Sequence, residues 1–274
     1  MNVTANAILN AFTVDLEDWF CVSNMEQIFP VSRWSACPLR IDDSANSILR
    51  LLEKHGVRAT FFVLGWIAEH CPSVVRRIYE AGHEIGVHGY GHARVTGLNC
   101  EEFRDDMERC IESVSRVVPT ARIAGYRAPS FSITLRSAWA LDVIASFGLR
   151  YDSSVFPAGG RTDYGWSGAA RGINRPLDNL IEVPITPWFG GGYFRLFPYR
   201  VSRHIIKKVN KNGLPAIFYI HPWEVDPDQT RVGLPLMKRF RHYVNLDKTL
   251  RRLDLLLSEF SFGAIGDVLD KNGF

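Results

Sequence analysis

The sequence predicts an α/β fold, built as either a parallel barrel or a doubly wound sheet. Strand-like and helix-like segments alternate about seven times, and helical crossovers of this kind join parallel strands. Two strand-like segments, 59–65 and 216–220, are almost wholly apolar, as expected of strands covered on both faces. Clusters of His, Asp, Glu and Arg follow several predicted strands, and such strand ends carry the ligands in parallel α/β folds.

Alternation and capping signals define the elements of the N-terminal half. Residues 8–16 alternate apolar and polar side chains and predict the first strand. Apolar residues spaced at three and four predict helices over 44–55, 72–81 and 101–118. We expect Asp42 or Asp43 to cap the first of these helices, and Gly56 to end it. Further short strands are predicted at 83–87 and 122–126, while residues 21–42 predict an irregular lip or a subunit contact.

The C-terminal half continues the alternation. Strands are predicted at 149–151, 180–185 and 216–220, and helices at 135–147, 201–212 and 247–260. Residues 157–178 are rich in Gly, Arg and aromatic side chains without periodicity, which predicts a long functional loop. Residues 262–269 are expected to pack near the last helix.

Composition narrows the class of protein. The 274 residues are 46% hydrophobic and 22% charged, which is ordinary for a globular domain with a sizeable core. A net charge of +3 is too small to indicate a nucleic acid partner, and no apolar run approaches the roughly 20 residues that span a bilayer. The N-terminus lacks the basic and apolar regions of a signal peptide, and the five cysteines show no C-x-x-C spacing. We therefore expect free thiols and a cytoplasmic location.

Three carboxylates within four positions follow the first predicted strand: Asp15, Glu17 and Asp18. Asp15 and Glu17 share a face if the strand continues that far, because side chains alternate along a strand. Trp19 and Phe20 come directly afterwards, which suggests that the acid cluster is partly enclosed.

His88 and His92 follow the predicted strand 83–87 and are four residues apart. Two imidazoles at this spacing can bind one metal ion, and a carboxylate beside them would complete a site with open positions. A water bound there ionises near neutral pH. The carboxylate is Glu17 or Asp18. Glu17 is slightly favoured because it shares the face of Asp15, whereas Asp18 requires the chain to turn after Leu16.

Arg127 and His221 also follow predicted strands, and Pro222 holds His221 in an extended conformation. A second carboxylate as base and a separate histidine as acid are what metal-assisted hydrolysis requires. Other polar residues are given structural or second-rank roles. His83 and Asp152 are expected to be structural, Glu182 to line the barrel, and His204 and His242 to lie at the surface.

Five segments in this order resemble the polysaccharide deacetylases, carbohydrate esterase family 4 with its nodulation-protein-B-type domain. They are Thr13–Asp18, His88–His92, Arg127–Pro129, Tyr151–Ser154 and Tyr219–Pro222. The resemblance implies a distorted (β/α) barrel of about seven parallel strands over residues 1–225. Residues 226–274 would form a C-terminal family-specific helical extension packed on that barrel, within a single structural domain.

The same resemblance implies roles for individual residues. The family has an Asp–His–His metal site, usually zinc, which maps here to His88, His92 and one of Glu17 and Asp18. Asp15 would be the base, Arg127 would orient it, and His221 would be the acid. Ser130, Pro129 and Trp223 would contact the substrate.

The implied activity is removal of N-acetyl groups from a sugar or exopolysaccharide precursor by a metal-dependent hydrolase. The sequences around Asp15 and His221 and at 238–247 resemble those of one branch of the family, which has peptidoglycan deacetylase-like and allantoinase-like members. Within that branch they resemble the deacetylases of exosortase and exopolysaccharide loci. A cyclic-amide hydrolase and an inactive carbohydrate-binding protein are the alternatives. The sequence does not determine the oligomeric state, and a homo-oligomer is one of the alternatives.

This chain departs from the family pattern at two points. The family turn has two adjacent Asp residues, whereas here Leu16 separates Asp15 from Glu17. The third motif usually has an aromatic residue after the proline, where this chain has Ser130. The backbone N–H that helps to hold an oxyanion survives the second change, because any residue except proline supplies it.

Overall fold

One curled sheet of nine strands runs through residues 8–159 and 164–274, the ranges that this computed structural model describes. The strands are β1 Asn10–Leu16, β2 Thr60–Val63, β3 Glu84–Val87, β4 Gly125–Tyr126, β5 Tyr151–Asp152, β6 Asn174–Leu177, β7 Leu180–Glu182, β8 Ile217–Ile220 and β9 Phe262–Gly263. Their order in the sheet is β6-β7-β5-β4-β3-β2-β1-β8, with β9 also paired to β1.

The strands pair in parallel except for β6 and β7, which are antiparallel. Beyond β7 the chain reaches β8, where the Thr186 N–H donates to the Ile217 carbonyl over 3.3 Å and Gly190 forms an isolated parallel bridge with Tyr219. These contacts bring the two ends of the sheet together. The predicted distorted (β/α) barrel is therefore confirmed, with one antiparallel strand lying in the segment that was predicted to be loop.

The helices cover the outside of the sheet. They are α1 Ile41–His55, α2 Gly65–His70, α3 Pro72–Glu80, α4 Cys100–Val117, α5 Ala140–Ser146, α6 Gly191–Leu196, α7 Tyr199–Lys211, α8 Leu236–Tyr243, α9 Leu246–Glu259 and α10 Ile265–Lys271. Short 3-10 turns lie at Val31–Ala36, Val95–Gly97, Pro129–Phe131, Leu135–Ser137 and Pro222–Val225. Within the described ranges, every helix is too short or too polar to cross a bilayer.

Local signals explain the longest helices. The Asn99 side chain accepts hydrogen bonds from two N–H groups at the start of α4, and the Glu102 carboxylate accepts one from the Asn99 N–H. The predicted helix therefore begins with a complete capping box. Gly56 ends α1 at φ 61°, a left-handed conformation that glycine adopts without strain. The helix predicted over 135–147 is instead a 3-10 turn followed by α5. The short helices α2, α6 and α8 were not predicted, because six to eight residues hold too few turns for a clear period.

Residues 226–274 pack on the barrel and also extend its sheet. Strand β9 pairs with the start of β1, at Asn10 and Ala11. Helix α9 packs against α1, and α10 packs against β1. The C-terminal segment thus shares the core of the barrel and does not stand apart from it.

Candidate active site

Glu17, His88 and His92 meet at the C-terminal edge of the sheet. Glu17 follows β1 and His88 follows β3, so the parallel register places both side chains at the same edge. The Glu17 Oε1 atom is 3.1 Å from His88 Nε2 and 3.2 Å from His92 Nε2. Their candidate ligand atoms all lie within 4.8 Å of one another. His92 reaches the cluster because the turn after His88 passes through left-handed conformations, with φ 73° at Gly89 and φ 58° at His92 itself.

The donor set fits a divalent cation. His88 Nδ1 is 2.7 Å from the Arg127 carbonyl oxygen, which can only accept, so Nδ1 carries a proton and Nε2, the ring nitrogen that faces Glu17, is the one that would bind a cation. The second Glu17 oxygen, Oε2, is buried without a hydrogen-bond partner among the described residues. Burial raises the pKa of Glu17, but the charges of His92 and His221 and hydrogen bonds from the histidine pair hold it well below its usual range. An ionised carboxylate and imidazole lone pairs are what zinc and related metals bind.

Asp18 points away from this cluster. The Glu17 N–H donates to the Asp15 carbonyl, which turns the chain immediately after β1. Asp18 Oδ2 then accepts from the N–H groups of Arg40 and Ile41, at 2.8 and 3.0 Å. Its Oδ1 accepts from the Trp19 N–H at 2.8 Å. Burial raises the pKa of Asp18 to about 6 against these bonds.

Asp18 is therefore the group that caps α1, and the structure does not bring it to the two histidines. The expectation that Asp42 or Asp43 caps this helix is wrong, because the helix begins at Ile41, three residues before the predicted start, with Arg40 as its cap position and both Asp residues in its first turn. Its first N–H groups are satisfied from a distant part of the chain, which no local pattern reveals.

Arg127 forms a buried ion pair with Asp15. The guanidinium is fully buried, with Nη1 2.6 Å from Asp15 Oδ1 and 2.7 Å from Thr13 Oγ1. The other nitrogens donate to Ser153, Nε to its carbonyl at 3.1 Å and Nη2 to its Oγ at 3.0 Å. The ring of Phe62 lies 4.2 Å from the guanidinium carbon. With its donors engaged, Arg127 fixes one Asp15 oxygen and leaves Oδ2 directed toward His221, 3.9 Å from its Nε2.

His221 is oriented by a buried ion pair. Its Nδ1 is 2.6 Å from Glu224 Oε1, and the other Glu224 oxygen is 2.5 Å from Arg195 Nε. Arg195 is buried and also donates to the carbonyls of 241, 242 and 244. Burial lowers the pKa of His221, but Glu17, Glu224 and Asp15 together raise it to about 9. His221 Nε2 thus faces Glu17 and Asp15 carrying a proton at neutral pH.

Sequence reasoning missed the partners of His221. Glu224 had a visible signal, since it stands in the His-Pro-Trp-Glu segment, three residues after the histidine. Arg195 had none, because α6 is short and lies outside every motif. Thr13 and Ser153 were within quoted motifs but had no role assigned.

Asp152 and Glu182 form a buried carboxyl pair next to this layer. Glu182 Oε1 accepts from the Val155 N–H at 3.1 Å, and Asp152 accepts from the Ser154 Oγ at 2.5 Å. Burial raises the pKa of both groups, and their proximity raises that of Glu182 well above its usual range. Burial and the nearby Asp152 therefore favour the protonated form of Glu182. Asp152 has the structural role expected of it, whereas Glu182 packs behind the cavity and does not line it.

The cluster opens into a cavity of about 490 Å³. Ser130 and Trp223 line this cavity, whereas Pro129 is buried behind Ser130 and does not line it. Ser130 Oγ is 2.6 Å from Ser23 Oγ, which belongs to the irregular 21–42 segment, so that segment forms part of the cavity wall. The aromatic side chain missing after Pro129 comes one residue later, as Phe131, whose ring lies 4.8 Å from that of Tyr219.

Three further histidines test the assignments made from sequence. His204 is exposed, as predicted. His83 is buried and its Nδ1 accepts from the Ala59 N–H at 3.2 Å, a structural role. The surface assignment of His242 is wrong, because it is buried, stacks on Trp223 with ring centroids 4.4 Å apart, and hydrogen-bonds Gln229. The face of α8 that carries His242 packs inward.

Comparisons with known proteins divide the chain into two matched parts. Residues 35–151 match the polysaccharide deacetylase family, and residues 153–270 match a domain of unknown function (DUF3473). A peptidoglycan-N-acetylglucosamine deacetylase of Bacillus cereus is 42% identical over 84 residues, covering 31% of this chain and 28% of that protein. A chitooligosaccharide deacetylase of a Bradyrhizobium species is 30% identical over 113 residues, covering 39% of this chain and 49% of that protein.

A solved structure extends the likeness of fold to nearly the whole chain. The crystal structure of a candidate polysaccharide deacetylase from Mycobacterium smegmatis superposes with a TM-score of 0.64 at 18% identity, covering 98% of this chain and 92% of that one. At this identity the match concerns the fold alone. The chain itself spans less than half the length of the two curated relatives named above.

Proposed function

The chain carries a polysaccharide deacetylase domain, and on that premise we propose that it removes N-acetyl groups from a sugar or glycan. One observation carries the proposal. Asp15 and His221 lie beside the Glu17–His88–His92 cluster, with His221 Nε2 3.7 Å from Glu17 Oε1 and 3.9 Å from Asp15 Oδ2. Side chains suited to act as base, as acid and as metal ligands therefore face one cavity, which supports hydrolysis of an amide.

His88, His92 and Glu17 would hold the cation, and we propose zinc because the donor set is two imidazoles and one carboxylate. When bound, such an ion lowers the pKa of a water and polarises a carbonyl group. The identity of the metal is part of the proposal.

Asp15 takes the proton of the attacking water in this proposal. Its Oδ1 is tied to Arg127, so Oδ2 is the oxygen available to the cavity. The guanidinium fixes the orientation of the carboxylate, and a fixed base within reach of the water contributes roughly 10²–10⁴-fold in rate.

His221 gives a proton to the departing amine. Glu224 accepts from Nδ1 and so leaves the protonated Nε2 facing the cavity. Glu224 and Asp15, which do not bind the cation, both raise the pKa of His221 and so favour that proton at neutral pH. Ser130 and Trp223 would contact the sugar from the wall, and Pro129 would act indirectly, by shaping the turn that presents Ser130.

The substrate class follows from the relatives only as a proposal. Those relatives are named for deacetylation of peptidoglycan and chitooligosaccharide, and a cavity of about 490 Å³ has room for a sugar unit. An exopolysaccharide pathway and a cytoplasmic location stay predictions from sequence.

Acetate release tests this proposal. Metal-stripped protein reconstituted with zinc is incubated with N-acetylglucosamine oligomers and with peptidoglycan fragments, and acetate is measured. We expect release that depends on the metal and is lost in Asp15→Asn. Release by Asp15→Asn at the native rate, or none from any N-acetylated glycan by metal-loaded protein, would contradict it.

A further inference from the structure

Helix α8 presents an apolar face to solvent. Leu236, Met237 and Phe240 are 84%, 71% and 54% exposed, and none of them lines the cavity. At about 100° per residue these three side chains share one arc of roughly 100° on the helix. His242, which is buried, lies on the opposite side. The apolar arc is therefore the outermost face of α8, where a soluble surface usually carries polar side chains.

Basic residues flank that face on both sides. By the same helical geometry, Arg239 lies beside one edge of the arc and Arg241 beside the other, with Lys238 next to Arg241. All three are exposed, and none pairs with a carboxylate among the described residues. An apolar arc with basic flanks is typical of helices that lie in a membrane interface.

The surrounding sequence strengthens the charge argument. No acidic residue occurs between Asp228 and Asp247, whereas that stretch contains Arg231 and the three basic residues of α8. Its local charge of +4 exceeds the net +3 of the whole chain. The complementary surface is therefore anionic. A second copy of this chain fits poorly, because a twofold contact would place these like charges opposite their own copies.

We propose that α8 docks the protein on an anionic lipid surface, with Leu236, Met237 and Phe240 in the apolar boundary and the flanking cations at the headgroups. Lys238 and Arg241 also line the cavity, together with the half-exposed Leu196. Docking through α8 thus sets the mouth of the cavity against the membrane and favours substrates held at a lipid surface. The binding itself does not depend on the proposed activity.

Vesicle sedimentation tests the docking directly. The full chain is mixed with vesicles of phosphatidylcholine alone, or of phosphatidylcholine with an equal amount of phosphatidylglycerol. We expect binding to the anionic vesicles only, weakened by high salt. In Lys238→Glu/Arg239→Glu the partition should fall by on the order of fivefold or more per charge. In Leu236→Ser/Phe240→Ser it should fall by roughly tenfold or more, because two large apolar side chains no longer leave water.

Matched controls isolate the face. Leu135→Ser changes a leucine that is 71% exposed elsewhere, and Arg50→Glu reverses an exposed charge on α1, so both should bind like the native chain. Thermal unfolding verifies that each variant is folded. Equal binding to neutral vesicles, no binding to anionic ones, or unchanged binding of Leu236→Ser/Phe240→Ser would overturn the proposal. So would sedimentation equilibrium showing a dimer that the same variant dissociates without any vesicle binding.

Discussion

Replacing Glu17 or Asp18 by its neutral amide should distinguish the proposed metal-binding role of Glu17 from the helix-capping role of Asp18. Glu17 faces His88 and His92, with one oxygen unpartnered among the described residues. Asp18 uses both oxygens to accept backbone N–H groups. We therefore expect Glu17→Gln to lose metal, and Asp18→Asn to lose stability while keeping metal.

The size of the Asp18 effect follows from its three hydrogen bonds. Asparagine has one carbonyl oxygen, so either the Trp19 N–H or the pair at Arg40 and Ile41 loses its acceptor and meets an NH₂ group. A buried donor left unsatisfied costs about 1–3 kcal/mol. In a chain of this size that corresponds to a fall in melting temperature of roughly 2–6 °C.

The size of the Glu17 effect follows from ligand chemistry. Loss of a residue that merely supports a metal ligand costs about 10–100-fold in affinity, so loss of the carboxylate ligand itself should cost roughly a hundredfold or more. The lowered pKa of Glu17 means that its charge is favourable beside the histidines, so the variant should lose some stability as well as metal.

Both variants are compared well above pH 6, where Asp18 is ionised. Metal affinity is measured by competition with a chromophoric chelator, and stability by thermal unfolding of metal-free protein. Loss of metal in Asp18→Asn alone would refute the assignment of Glu17. Loss in neither variant would show that the cation is not held by this turn.

Three further predictions concern the base and acid, the partner of the acid, and a structural pair. Asp15→Asn and His221→Ala should keep the metal and lower kcat by roughly 10²–10⁴-fold in acetate-release assays, and near-native turnover in either would remove that residue from the chemistry. Glu224→Gln should lower kcat by roughly 10–100-fold with KM nearly unchanged. It should also move the alkaline limb of the kcat profile to lower pH, because His221 loses a negative partner. Glu224→Asp should restore part of the rate. An unchanged profile would mean that Glu224 only stabilises the fold. Because burial raises the pKa of Glu182 in the folded state, the native chain should lose about 1.4 kcal/mol of stability per pH unit from that group as pH rises between its unfolded and folded pKa values. Glu182→Gln lacks that slope, so its stability relative to the native chain, measured by urea unfolding, should increase as pH rises above the unfolded pKa of Glu182, and parallel stability curves would contradict the raised pKa.

The proximity of the site's side chains could be predicted from the sequence, because it depends only on where the strands end. Asp15, His88, Arg127 and His221 each stand at or directly after a strand of one parallel sheet, and such ends meet at one edge. Alternation and apolar runs are enough to find those strands. The choice between Glu17 and Asp18 was left open, since it depends on a backbone turn that the side-chain pattern does not encode.

What the sequence could not predict are contacts between remote, aperiodic segments. Arg195 meets Glu224 from a six-residue helix, and Asp18 caps α1 from 23 positions before Ile41. His242 is buried because the apolar arc of α8 faces outward, which inverts the rule that apolar residues mark the inner face. In each case tertiary packing overrides what the local sequence pattern predicts.

The acid cluster at the end of β1 is tolerated because each carboxylate has its own electropositive partner. Asp15 meets a guanidinium, Glu17 meets two imidazoles, and Asp18 meets three backbone N–H groups. Three carboxylates packed into four positions would otherwise repel one another in a buried site. The spacer Leu16 allows the division, because it sends Asp15 and Glu17 into the cavity and the turn then directs Asp18 into the core. A single-residue deletion at Leu16 would make Asp15 and Glu17 adjacent, and because side chains alternate along a strand, one of the two would then turn away from its partner. The spacing at Leu16 and the turn that follows it thus let three carboxylates within four positions hold three separate sets of partners.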